Sequence, residues 1–176
     1  MNFAAAIATA IELGIDPVEA AAAVAQLDAP ERWRMQLLRA KDGYSVINDA
    51  YNASPESMRS ALQSLAVLGR QGSRTVAVLG YMAELGDFSA QEHDAIGRLV
   101  VRLNIDQLFV IGEEAKLIHM GAMQEGSWDG ESQFIDSISE AFGVIREKLL
   151  PGDVVLVKSS NVAGLRFLGD DLAGVK

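Results

Sequence analysis

The chain has 176 residues, 49% of them hydrophobic and 22% charged, which is enough for one sizeable core and too few for two full-sized domains. A formal net charge of -9 sets it against a phosphate backbone, since nucleic-acid binding draws its affinity from clustered Lys and Arg, so nucleic acid is not an expected partner. The absence of cysteine removes disulfides, thiol catalysis and thiolate metal sites, and fits a cytoplasmic protein.

Met1 to Leu13 is apolar, but it lacks a basic start and falls short of an apolar run of about 18 residues, so neither a signal peptide nor a membrane span is expected. Asn2 to Leu13 and Pro17 to Leu27 read as Ala-rich helices. Between them Gly14 can end the first, and Asp16 can cap the second with Pro17 at its first position. Such a pair has little bulk for a core of its own and is expected to pack on something else. Asp28-Ala29-Pro30 reads as a boundary, giving a division into residues 1–29 and 30–176.

From Trp33 the pattern turns to short β-rich runs. Trp33 to Ala40 and Tyr44 to Asp49 are joined through Lys41-Asp42-Gly43, a hairpin signal, with Arg34 alternating between Trp33 and Met35 on the edge strand. Ser54 and Pro55 open a helix carrying Met58, Ala61, Leu62 and Leu65 on one face, and Arg74 to Gly80 is an apolar strand. Ser89-x-x-Glu92 has the capping-box spacing and heads a helix with Ile96, Leu99, Val100 and Leu103 inward. Gln107 to Ile111 is the next strand. Ser137-x-x-Glu140 repeats the capping signal before Ile138, Ala141, Phe142, Ile145 and Leu149. Val154 to Val157 is a last apolar strand, and a final helix is expected over Val162 to Leu172. Continuous apolar strands alternating with amphipathic helices predict a three-layer α/β domain, its sheet mostly parallel with the first hairpin as an antiparallel edge. Ligands in such sheets sit at the carboxyl ends of the strands, here just after Ile47, Leu79, Ile111 and Val157.

Asn48 to Met58 crowds a carboxylate, a phenol and amides between a strand end and a helix start. Those groups suit ribose hydroxyls or another polar substrate, and the backbone N–H groups of a helix start suit an anion. The same residues would also make an ordinary capped loop. The run Ile-Asn-Asp-Ala-Tyr-Asn-Ala-Ser-Pro-Glu-Ser-Met over 47–58 resembles a signature of the Mur ligases, in the branch that adds D-alanyl-D-alanine. Arg34-Met35, the Val78-to-Gly86 loop with Glu84-Leu85-Gly86, and Val157-Lys158-Ser159-Ser160 resemble three further elements of that family, in its order. Ser54 stands where the family usually has Asn, and Tyr81 where it usually has Asp.

The resemblance implies a Rossmann-like carboxy-terminal domain at 30–176, preceded by a helical remnant of the central ATPase domain at 1–29. It implies an ATP-dependent ligase that uses Mg2+ and joins D-alanyl-D-alanine to a UDP-linked muramoyl tripeptide through an acyl phosphate. Carried over, Asp49 would hold the ribose, Arg34 would meet phosphate or the nucleotide's edge, and Tyr51 and Asn52 would line the nucleotide pocket. Glu84, Lys158, Ser159 and Ser160 would face the dipeptide. The alternative is a stand-alone binding or regulatory module without catalysis.

Other residues point less far. With two His far apart and no Cys, a dedicated metal site is not expected, and the Mg2+ ligands would lie outside this chain. His93 is placed in the first turn of a helix and His119 near the end of another. Glu113 and Glu114 suit a helix start, and Trp128 a packed loop. No G-x-x-x-x-G-K-[ST] or G-x-G-x-x-G run occurs, so the chain by itself is expected to be inactive, a part of a longer enzyme.

Overall fold

The computed structural model describes residues 2–26, 32–126 and 131–175; the Asp28-Ala29-Pro30 boundary and Trp128 lie outside them. The chain falls into two compact units, Met1–Glu31 and Arg32–Lys176. The first is a pair of helices, α1 (Asn2–Glu12) and α2 (Pro17–Ala25). The Asp16 carboxylate accepts from the amides of Val18 and Glu19, at 2.9 and 3.2 Å, and so occupies two of the donors that a helix start leaves unpaired.

The second unit runs β1 (Gln36–Arg39), β2 (Ser45–Asn48), α3 (Pro55–Gly69), β3 (Thr75–Leu79), α4 (Ser89–Arg102), β4 (Gln107–Ile111), α5 (Lys116–Glu125), β5 (Ser132–Ile135), α6 (Ile138–Lys148), β6 (Val154–Lys158) and α7 (Leu165–Ala173). Its sheet has the order β1-β2-β6-β3-β4-β5, antiparallel between β1 and β2 and parallel elsewhere. Successive side chains of a strand point to opposite faces. Ala77, Leu79, Leu108, Val110 and Leu156 therefore pack with Met58, Leu62 and Leu65 of α3, Ile96 and Val100 of α4 and Ile118 of α5. Val76, Val78, Phe109, Ile111, Val155 and Val157 pack with Ile145 of α6 and Leu165, Leu168 and Leu172 of α7. Burial on both faces is why β3, β4 and β6 are continuous apolar runs. The result is the three-layer, mostly parallel, Rossmann-like α/β domain with an antiparallel edge hairpin. Among the described residues no helix is long and apolar enough to cross a membrane.

Several local expectations are corrected. Residues 33–35 are not strand: Trp33 and Met35 take left-handed φ of 64° and 47°, and β1 begins only at Gln36. Long-range partners override the alternating pattern. The amide of Tyr51 bonds the Trp33 carbonyl at 3.1 Å, and the Met35 amide bonds Asp49 at 2.9 Å. Ser89 does not cap α4, because the 3-10 turn Gly86–Phe88 runs directly into it, and Glu92 pairs with Arg59 of α3 instead. Ser54 does cap α3, in a reciprocal box with Ser57. His119 lies in the first turn of α5, at the start of that helix and not towards its close. Strand β5 was not among the predicted elements. Val162 belongs to a 3-10 turn, Asn161–Ala163, and α7 starts at Leu165 after Gly164 with φ of 74°.

Candidate functional site

The carboxyl ends of β2, β6 and β3 are neighbours, so the segments that follow them, 49–54, 159–161 and 80–86, meet at one edge of the sheet. Lys158, at the end of β6, is only 2% exposed. Its ammonium donates to Asp49 Oδ2 at 2.5 Å and to the Asn52 carbonyl at 3.0 Å. Asp49 Oδ1 accepts the Met35 amide at 2.9 Å, so one carboxylate joins the segment before β1 to the end of β6. A carboxylate offers about four lone-pair positions, which leaves Asp49 capacity for a further donor.

Arg34 sits between the two left-handed residues, and its guanidinium lies 4.4 Å over the Tyr51 ring. Non-glycine residues in that conformation are strained and persist only where the surroundings fix them. Met35 is held through its amide by Asp49, and Trp33 by Asp170 of α7, a carboxylate 6% exposed. It accepts from the Trp33 indole at 2.9 Å, the Arg32 guanidinium at 2.7 Å and the Asn48 amide at 3.0 Å. Asn48 also donates to the Arg166 carbonyl at 2.8 Å, in space left by Gly169, where a Cβ would come within 2.5 Å of the Asn48 amide nitrogen.

The start of α3 is less open than its composition implies. The amide of Ala53 is taken by Asn52 Oδ1, that of Ser54 by the Ser57 hydroxyl and that of Ser57 by the Ser54 hydroxyl. Its donors therefore serve the loop itself. The stacked Arg34 and Tyr51, with Asp49 beside them, remain the groups suited to a planar, charged ligand.

On the other side, Ser160 Oγ accepts the Ala83 amide at 2.8 Å and reaches the Ala53 carbonyl at 3.5 Å, while the Ser160 amide donates to the Tyr81 carbonyl at 3.0 Å. Ser159 is fully buried and donates to the Ser160 carbonyl. The Met82 amide is held by His93 Nε2 at 2.9 Å. Glu84 is exposed, with φ of 64°. Of the four residues expected to face a dipeptide, Glu84 alone is exposed. Lys158, Ser159 and Ser160 turn inward and tie the three strand-end segments together. Among the described residues no group of three His, Cys, Asp or Glu is placed to hold a metal ion.

Sequence reasoning missed Asp170 and gave Trp33 no role beyond its strand. The partners of Asp170 lie 122 to 138 positions away, and no short motif spans that distance.

The profile of the Mur ligase, glutamate ligase domain matches residues 33–161. A UDP-N-acetylmuramoyl-tripeptide–D-alanyl-D-alanine ligase of Mycobacterium leprae is 42% identical over 98% of this chain, which spans 36% of that relative. The enzyme so named in Bacillus subtilis is 34% identical over 98% of the chain, which spans 37% of its length. Among solved structures, MurF from Acinetobacter baumannii superposes over 98% of this chain and 37% of its own, with a TM-score of 0.82 and 29% identity. The profile covers most of the Arg32–Lys176 unit and all three strand-end segments, and the relatives cover nearly the whole chain: the chain belongs to the Mur ligase family, in its glutamate ligase domain.

Proposed function

We propose that the chain is the nucleotide- and amine-contacting lobe of a cytoplasmic, ATP-dependent peptide ligase that adds D-alanyl-D-alanine to a UDP-N-acetylmuramoyl tripeptide in peptidoglycan synthesis. The observation that carries this is the meeting of three strand-end segments at one edge, with Arg34, Tyr51 and Asp49 on one side and the Glu84 loop on the other. On the nucleotide side, the flat guanidinium on its phenol offers a face and donors for a base or phosphate, Asp49 offers its remaining lone pairs to a ribose hydroxyl, and Asn52 borders them. On the amine side, Glu84 is the group in reach of an incoming ammonium. Lys158, Ser159 and Ser160 act by holding both sides at fixed spacing, the positional control that a ligand-joining step requires. ATP would supply the activating phosphoryl group. Residues 1–29 are read as the end of the preceding ATPase domain, which would bring the phosphate cradle and Mg2+ sites.

The test exchanges parts. A chimaera in which this chain replaces the matching 36% of the M. leprae relative should join D-alanyl-D-alanine to the tripeptide precursor with ATP and Mg2+, whereas the chain alone should release no phosphate. A folded but inactive chimaera would overturn the ligase reading. Nucleotide binding by that same chain, lost on Arg34→Ala, would then favour the stand-alone module.

A further inference from the structure

We infer that His93 is a positioning residue that sets the backbone of the 81–86 loop and, through it, the placement of Glu84; its consequence for dipeptide use rests on the ligase reading. His93 lies on α4 and is 1% exposed. A buried histidine can simply fill space, but filling space requires shape alone. Here both ring nitrogens are committed to backbone on opposite sides, and with opposite polarity. Nδ1 lies 2.7 Å from the Ser89 carbonyl, which has no proton to give, so Nδ1 carries the hydrogen and donates. Nε2 lies 2.9 Å from the Met82 nitrogen, whose N–H donates, so Nε2 is bare and accepts. One neutral tautomer meets both demands. The ring thereby ties the first turn of α4 to the loop.

The next amide along is also held, and from a different element. Ala83 N–H donates to Ser160 Oγ at 2.8 Å. Two successive amides are thus fixed, one from α4 and one from the segment after β6, immediately before Glu84 adopts φ of 64°. That conformation is unfavourable for a residue with a Cβ and persists where neighbouring bonds impose it. His93 supplies one of the two bonds that precede it.

Two variants separate the bond from the bulk. His93→Gln can keep an acceptor oxygen near the Nε2 position and a donor for Ser89, while His93→Leu keeps volume and loses both. In the chain itself, nitrogen NMR should show His93 protonated on Nδ1. Amide exchange of Met82 and Ala83 should speed up roughly tenfold in the Leu variant and stay near wild type in the Gln variant, with β3 and β6 unchanged. In the active chimaera, His93→Leu should raise KM for D-alanyl-D-alanine by roughly tenfold, leave KM for ATP unchanged and be rescued by Gln.

A proton found on Nε2, or wild-type exchange in the Leu variant, overturns the positioning role whatever the protein catalyses. Should the Leu variant fail to fold, the tautomer and the Gln variant still decide the matter. Loosened amides with an unchanged KM for the dipeptide overturn the link to substrate. An inactive wild-type chimaera overturns the ligase reading instead, and leaves the exchange result to decide the role of His93.

Discussion

Lys158 lies where almost no water reaches it, and the Asp49 carboxylate is its ion-pair partner. Removing one member of a buried pair costs more than the pair contributes, because the other is left desolvated. Asp49→Ala should therefore destabilise the fold by about 3 kcal/mol or more in urea unfolding, and adding Lys158→Met should recover over half of that loss. A nucleotide role for Asp49 thus has to be read from Asp49→Asn, which keeps the shape. His119 gives a pH handle. Burial lowers its pKa from the ordinary 6.5, its Nδ1 lies 2.7 Å from the Ser132 hydroxyl, and its ring faces Phe134. The folded state then binds fewer protons than the unfolded chain, so stability is complete above about pH 6.5 and falls as pH drops from there through the lowered folded value. Melting temperature followed from pH 8 to 5 should show that decline, and His119→Gln should flatten it. The motif residues Arg34, Asp49, Tyr51 and Lys158 were legible in the sequence because they are local to strand ends. Their partnerships were not, since the pairing of Lys158 with Asp49 and of Trp33 with Asp170 depends on which strands adjoin.

At the level of elements, the strands that read most clearly were those buried on both faces, β3, β4 and β6, where an apolar run admits few alternatives. Strand β5 is short and only partly buried, SQFI, and offered no such run. The start of α4 misled because Ser89 and Glu92 have capping-box spacing, yet the preceding 3-10 turn leaves Ser89 already inside the helix. The α4–α5 contact shows why two glycines interrupt otherwise good helices. A Cβ on Gly97 would lie 1.9 Å from the Ile118 carbonyl oxygen, and one on Gly121 would lie 2.4 Å from that of Asp94. Backbone meets backbone there, so neither neighbour can swing aside. Gly97→Ala should cost about 3 kcal/mol or more. Gly143→Ala on α6 meets nothing within 4 Å and should instead stabilise by up to about 1 kcal/mol. Denaturant titration of the two variants, run side by side, gives opposite signs if the packing is as described.

For the whole molecule, the division into Met1–Glu31 and Arg32–Lys176 predicts that a chain beginning at Arg32 still melts cooperatively, since the second unit has its own core on both faces of the sheet. A truncated chain without a cooperative transition in calorimetry would show that the helical pair belongs to that core. The sheet order was legible only in outline: a mostly parallel sheet with an antiparallel edge follows from the alternation of elements, but the place of β6 does not. Strand β6 is the last in sequence, yet it lies between β2 and β3. During synthesis the two halves of the sheet, β1-β2 and β3-β4-β5, must therefore wait on the ribosome with open edges until the final segment emerges. Premature termination anywhere before Val154 would leave both halves with unpaired strand borders, a ready template for aggregation and a natural target for chaperones and proteases.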